Sequence, residues 1–170
     1  MIFMPVFGIV QGAQPLIGYN YGARKYARVR RLFWTAASAT TALMAVGWAV
    51  SQLFPAQIMR LFAPAHSDLI PLGAYALRVF SLAFPIIGFP IVGGHMFQAI
   101  GKPVPAALLA LSRQIILFIP FLVVFPKFWG LPGIFAAAPA SDALTFLISL
   151  FLVGHQLRRL RRMETEALAP

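Results

Sequence analysis

The 170-residue chain contains no cysteine, only four acidic residues and only three histidines. Without cysteine there is no disulfide and no Cys-ligated zinc or iron–sulfur site, and three scattered histidines form no spaced ligand set. No metal site or cofactor is expected. The four carboxylates, Asp68, Asp142, Glu164 and Glu166, supply neither paired acids nor a Ser-His-Asp set converging at one depth, so the chain does not read as an enzyme. Charged residues of both signs make up 11% of the chain against 60% hydrophobic, with a mean hydropathy of +0.81. That balance is far from a soluble domain and fits an all-α polytopic membrane protein, in which helices satisfy their own backbone groups.

The scarcity of acid leaves a formal charge of +10 and a pI near 11.4, which alone could suggest nucleic-acid binding. The placement of the basic residues argues otherwise. Apolar stretches long enough to span fall at about 1–19, 32–54, 70–100, 104–125 and 131–154. Ten of the 14 Lys and Arg collect at alternate connections or at the end: Arg24, Lys25, Arg28, Arg30 and Arg31, then Lys102, then Arg158, Arg159, Arg161 and Arg162. Only Arg60 and Lys127 fall on the other side, and Arg78 and Arg113 lie within spans. By the positive-inside rule this gives five crossings of a plasma (inner) membrane with a cytoplasmic C-terminus, membrane lipid as a partner and no nucleic acid. Residues 1–157 form one transmembrane unit, and 158–170 read as a basic then flexible cytoplasmic tail, whose arginines attract anionic lipid. Ile58, Leu61 and Phe62 fit a short interfacial helix in an outer loop that runs on through His66 and Asp68.

Within the spans, Gly8 and Gly12 form a GxxxG pair, and Gln11, Gln14 and Gly18 share a helix face suited to close neighbours. Gln11 and Gln14 read equally well as interhelical hydrogen-bonding groups or as a polar cavity lining, and Tyr75 and Gln98 are further cavity-lining candidates. The 70–100 run is too long for one straight span and too short for two. Pro85, Gly88, Pro90, Gly93 and Gly94 make it a kinked or partly unwound helix, either a passive bend or a moving, cavity-lining hinge. His95, near its inner end, reads as a hydrogen-bonded packing residue.

Asp142 is the one carboxylate placed well within a span, about 12 Å from the outer surface at 1.5 Å per residue. A charge at that depth needs a partner, and Arg78 and Arg113 both lie within reach. The resulting network is either a fixed pair that sets helix register or one that opens and closes, with Asp142 taking up a proton or cation.

GIVQGAQPLIGYNYGARKY, FQAIGKPVPAALLALSRQIILFIP and GLPGIFAAAPASDALTF resemble the eighth helix with its following loop, the tenth-to-eleventh helices, and the twelfth helix of MATE (multidrug and toxic compound extrusion) transporters, in their bacterial multidrug-export branch. The resemblance covers most of the chain. It implies five transmembrane helices corresponding to about helices 8–12 of a twelve-helix fold, part of a C-terminal lobe whose N-terminal partner lobe is missing from this sequence. The abrupt start inside a hydrophobic run, without a signal-peptide pattern, fits a fragment. The implied function is secondary active efflux of small cationic or amphipathic drugs by alternating access, coupled to H⁺ or Na⁺. The helix at 72–100 has no Asp or Glu, so no ion ligand carries over, and coupling would fall to a carboxylate elsewhere. A lipid-linked-saccharide flippase of the same architecture and a truncated, non-transporting membrane fragment are the alternatives.

Overall fold

A computed structural model describes residues 3–62 and 69–168 of the chain. Among them every regular element is helical: α1 (Phe3–Gly22), α2 (Tyr26–Leu53), α3 (Pro55–Phe62), α4 (Leu69–Ser81), α5 (Phe84–Ala99), α6 (Pro103–Leu111), α7 (Phe118–Trp129) and α8 (Leu131–Leu168), with a π turn, Ser112–Ile116, between α6 and α7. The outer-loop expectation for His66 and Asp68 lies outside the described residues.

Among the described residues three helical stretches are long and apolar enough to cross a membrane: Tyr26–Leu53, Pro103–Trp129 and Leu131–Glu166. The α4–α5 pair makes a fourth if taken as one span bent by 47°. The expected fifth crossing, α1, is 20 residues long, but its Gln11, Gln14 and Asn20 hold it outside that group of spans.

The core forms where α1, α2, α5 and α8 meet. Val6, Val10 and Ile17 of α1, Val29, Phe33 and Met44 of α2, Ile87, Val92 and Met96 of α5, and Val153 and Leu160 of α8 are buried together. Spacings of four, seven and eleven keep the sets of α1, α2 and α8 each on one helix face. The outer surface is equally apolar. α7 buries no residue, and Ile119, Val123, Phe128 and Trp129 are all exposed, the pattern of a helix solvated by hydrocarbon and ending in a belt aromatic.

The break in the long span falls at Leu82 and Ala83, ahead of the Pro and Gly residues expected to make it. Pro85 sits in the first turn of α5, where its missing N–H costs nothing. The carbonyl of Arg78, freed by the break, accepts a hydrogen bond from Gln52 Nε2 of α2 at 2.9 Å, and the same Nε2 reaches Ser81 Oγ at 3.1 Å. Ser81 and Ala83 are buried while Leu82 between them is 58% exposed, so protein covers part of the break. Gly88 and Gly93 serve close packing. A Cβ on Gly88 would lie 2.9 Å from Thr40 Oγ1 and 3.0 Å from the Thr41 backbone nitrogen, and one on Gly93 would lie 2.6 Å from Val153 Cγ2.

Two turns at one end order the bundle. Between α1 and α2, the Lys25 N–H bonds the Asn20 carbonyl at 2.9 Å across Arg24, which takes φ 56°. Between α5 and α6, the Lys102 N–H bonds the Phe97 carbonyl at 2.8 Å across Gly101, at φ 73°. Both are six-to-one C-terminal caps, and glycine suits the second without strain. The basic stretch after 157, read from sequence as the start of a flexible tail, instead continues α8 to Leu168. Arg30 Nη1 donates to Glu164 Oε2 at 2.6 Å, tying that extension back to α2. A helix of 38 residues, about 57 Å long, exceeds the hydrocarbon thickness, and its last turns carry the charge.

Candidate intramembrane site

Asp142 lies on the inner face of α8, in a polar stripe that the helical period makes continuous: Ser141, Asp142, Thr145 and Ser149 are all buried. Arg113 Nε donates to Asp142 Oδ1 at 2.7 Å, with the Arg113 side chain 28% and the Asp142 side chain 9% exposed. The π turn helps bring them together. Leu117 N–H reaches back five residues to the Ser112 carbonyl at 3.0 Å, so the helix carries one extra residue and the face it presents rotates locally. Arg78, the other expected partner, is exposed, and among the described residues only its carbonyl is engaged.

Arg113 stands between two cavities. One, of about 460 Å³, is lined by Phe3, Phe7, Phe80 and Phe118 together with Gln114, Ser141 and Asp142. The guanidinium carbon of Arg113 sits 5.6 Å from the Phe3 ring centroid, a cation–π contact that holds the side chain from the opposite side. The other cavity, of about 170 Å³, is lined by Pro90, Gly94, His95 and Gln98 of α5, by Gln114 and by Thr145. Thr145 Oγ1 is buried without a hydrogen-bond partner among the described residues. The walls of this cavity can therefore order water through Thr145, Gln98, Gln114 and Arg113. His95 Nδ1 donates to the Ile91 carbonyl at 3.0 Å, which fixes its ring.

The sequence candidates divide between sites. Asp142 and Arg113 form the centre, and Gln98, Pro90 and Gly94 border the smaller cavity. Gln11 is exposed and Gln14 half-buried on α1, and neither borders these two cavities. Tyr75 is 46% exposed and meets Phe135 edge-on at 6.3 Å. Seven of the lining residues named above escaped the reading of the sequence: Phe3, Phe7, Phe80 and Phe118, ordinary members of apolar runs; Gln114, in the π turn; and Ser141 and Thr145. The spacing of Ser141, Thr145 and Ser149, four and four along a helix, was the available signal for the last two.

The family model described as MatE matches residues 1–124. A multidrug export protein MepA from Staphylococcus haemolyticus (strain JCSC1435) is 26% identical over 157 residues, covering 91% of this chain and 34% of that protein. The chain thus spans about a third of the length of the curated relatives it matches. Among solved structures, an inward-facing multidrug-resistance MATE transporter of the MOP superfamily aligns with a TM-score of 0.87 at 19% identity, covering 95% of this chain and 38% of that one. An outward-facing one aligns with a TM-score of 0.86 at 20% identity, covering 95% and 36%. With apolar spans, a polar pair held between them and a family match over most of its length, the chain belongs to the MatE family of multi-pass membrane transporters.

Proposed function

We propose that the chain is part of the C-terminal lobe of a drug exporter, spans the membrane five times with its C-terminus in the cytoplasm, and works by cation-coupled antiport against a second lobe. The fold favours a lobe that moves as a body, since it aligns almost equally well with an inward-facing and an outward-facing relative. What alternates in such an arrangement is the contact between lobes. Drug export itself is carried by one observation, the cavity of about 460 Å³ lined, among the described residues, by four phenylalanines and a single carboxylate. Aromatic faces and an acid suit a flat, positively charged, amphipathic molecule.

Arg113 already neutralises that acid at 2.7 Å. A cationic drug or a coupling cation reaches Asp142 by displacing the guanidinium toward the smaller polar cavity, and the pair re-forms on release. The π turn allows this swing, because its longer hydrogen-bonded ring is a local irregularity and not a regular helical turn. The test is efflux of a fluorescent cation, such as ethidium, from cells that express the full-length gene product and lack other pumps. Asp142→Asn should abolish efflux per molecule of protein, read after correction for abundance. Equal efflux at equal abundance removes Asp142 from the mechanism.

A further inference from the structure

A third cavity, of about 270 Å³, lies at the basic end of the lobe, where the α5–α6 turn meets α8. Phe97, Pro105 and Phe151 form its apolar wall, and Lys102, His155 and Gln156 supply its polar groups. Lys102 Nζ donates to Gln156 Oε1 at 2.6 Å. Gln156 is 2% exposed, and its Nε2 is buried with no acceptor among the described residues. A buried amide donor left unpaired is costly, and an oxygen acceptor entering the pocket would relieve it with a small shift of the side chain.

The local charge has one sign. Burial and then the neighbouring Arg159 hold the Lys102 ammonium below its usual pKa. Among the described residues no carboxylate lines the pocket, and the two ion pairs, Arg30–Glu164 and Arg113–Asp142, lie elsewhere. Surplus cations and an unmet N–H donor call for an anion with several oxygens.

The surroundings decide which source of anion fits. Phe151 is 76% exposed, Leu147 one turn before it is 59% exposed, and Leu108, one turn on from Pro105, is 41% exposed. Exposed apolar side chains therefore continue from the charged pocket along α8 and α6. A soluble phosphate has no use for them; an acyl chain does.

We propose that the pocket between the α5–α6 turn and α8 binds the phosphate of an anionic phospholipid through Lys102 and Gln156, with an acyl chain along Phe151 and Leu147. The proposal does not depend on what the transporter carries. An occupant there would bridge the turn that joins two packed helices to the end of a third, and so fix the bundle at one membrane face.

The experiment is native mass spectrometry of the purified full-length protein, titrated with phosphatidylglycerol, phosphatidylcholine or inorganic phosphate. Phosphatidylglycerol should bind in preference to phosphatidylcholine, and inorganic phosphate should not displace it. Lys102→Met should weaken phosphatidylglycerol binding about fivefold, the loss of one basic residue near a lipid surface. Arg161→Gln, which removes the same charge from the same end but outside this pocket, should change it by less than about twofold. Lys102→Arg keeps the charge and should retain binding, which separates a lost site from a misfolded variant. Equal losses for Lys102→Met and Arg161→Gln would overturn the site in favour of diffuse attraction. Displacement by inorganic phosphate, or no preference between the two lipids, would overturn the lipid as its occupant.

Discussion

Replacing Asp142 by Asn keeps the size of the side chain and removes the charge that Arg113 faces at 2.7 Å. The guanidinium is then stranded between two cavities, with its side chain 28% exposed. Two unit charges about 4 Å apart attract by about 4 kcal/mol at an effective dielectric of about 20, and breaking a buried pair by removing one partner costs about 3–5 kcal/mol. The residual access of Arg113 to water places the expected loss for Asp142→Asn at the low end, about 3 kcal/mol. Arg113→Gln should cost less, about 2 kcal/mol, because the stranded carboxyl can take up a proton and become neutral. The double variant pairs an amide with an amide and strands no charge, so it should be more stable than the sum of the single losses implies by about 2 kcal/mol. Unfolding of the four purified full-length proteins, in one detergent at one pH, closes this cycle. Single losses that simply add in the double variant would refute the pairing as an energetic unit, whatever their size.

The packing of α2 on α5 gives a second prediction. Gly88→Val should destabilise the protein by about 1–3 kcal/mol, because its side chain must push on the Thr40–Thr41 backbone. Gly94→Ala meets nothing within 4 Å and should leave stability equal or higher by about 0.5–1 kcal/mol; if transport nevertheless falls, Gly94 bends during the cycle. Arg24→Gly relieves a left-handed φ of 56° and should stabilise the protein by about 1 kcal/mol, read as a higher melting midpoint. Glu164→Gln should cost less than about 1 kcal/mol, since the Arg30–Glu164 pair is a third exposed. The folded pKa of Lys102 lies below 10.5, so between that folded value and 10.5 the unfolded chain binds more protons than the folded one. Stability should therefore rise with pH across that interval, and Lys102→Met should flatten the rise in a melting series.

The apolar runs and their basic punctuation made the helices legible in the sequence, and the intramembrane carboxylate announced its need for a partner. Choosing between Arg78 and Arg113 was beyond a depth count along straight helices. The break at Leu82–Ala83 leaves Arg78 exposed on α4, while the extra residue of the π turn changes the face that Arg113 presents. Neither irregularity has a composition of its own: the break precedes its proline, and Ser-Arg-Gln-Ile-Ile reads as ordinary helix. The stretch after Gly154 is less legible for a related reason. Its polar, basic composition looks like a tail, yet Lys102 and Arg30, 54 and 134 residues away from Gln156 and Glu164, hold it against the bundle. Contacts at such separations leave no trace in periodicity. The glycines were visible but their role was not, since a glycine that lets two helices approach and one that bends a helix look alike in sequence.

The central claim is that this lobe serves a cation-coupled exporter whose drug cavity holds Asp142. Its most direct measurement is transport by the full-length protein in sealed proteoliposomes, with an imposed H⁺ or Na⁺ gradient and ethidium as the reporter. The account predicts gradient-driven movement of ethidium that disappears with Asp142→Asn and persists with the control Glu164→Gln, whose pair with Arg30 lies outside both cavities. Ethidium movement that ignores both gradients, or that survives Asp142→Asn undiminished, would contradict it.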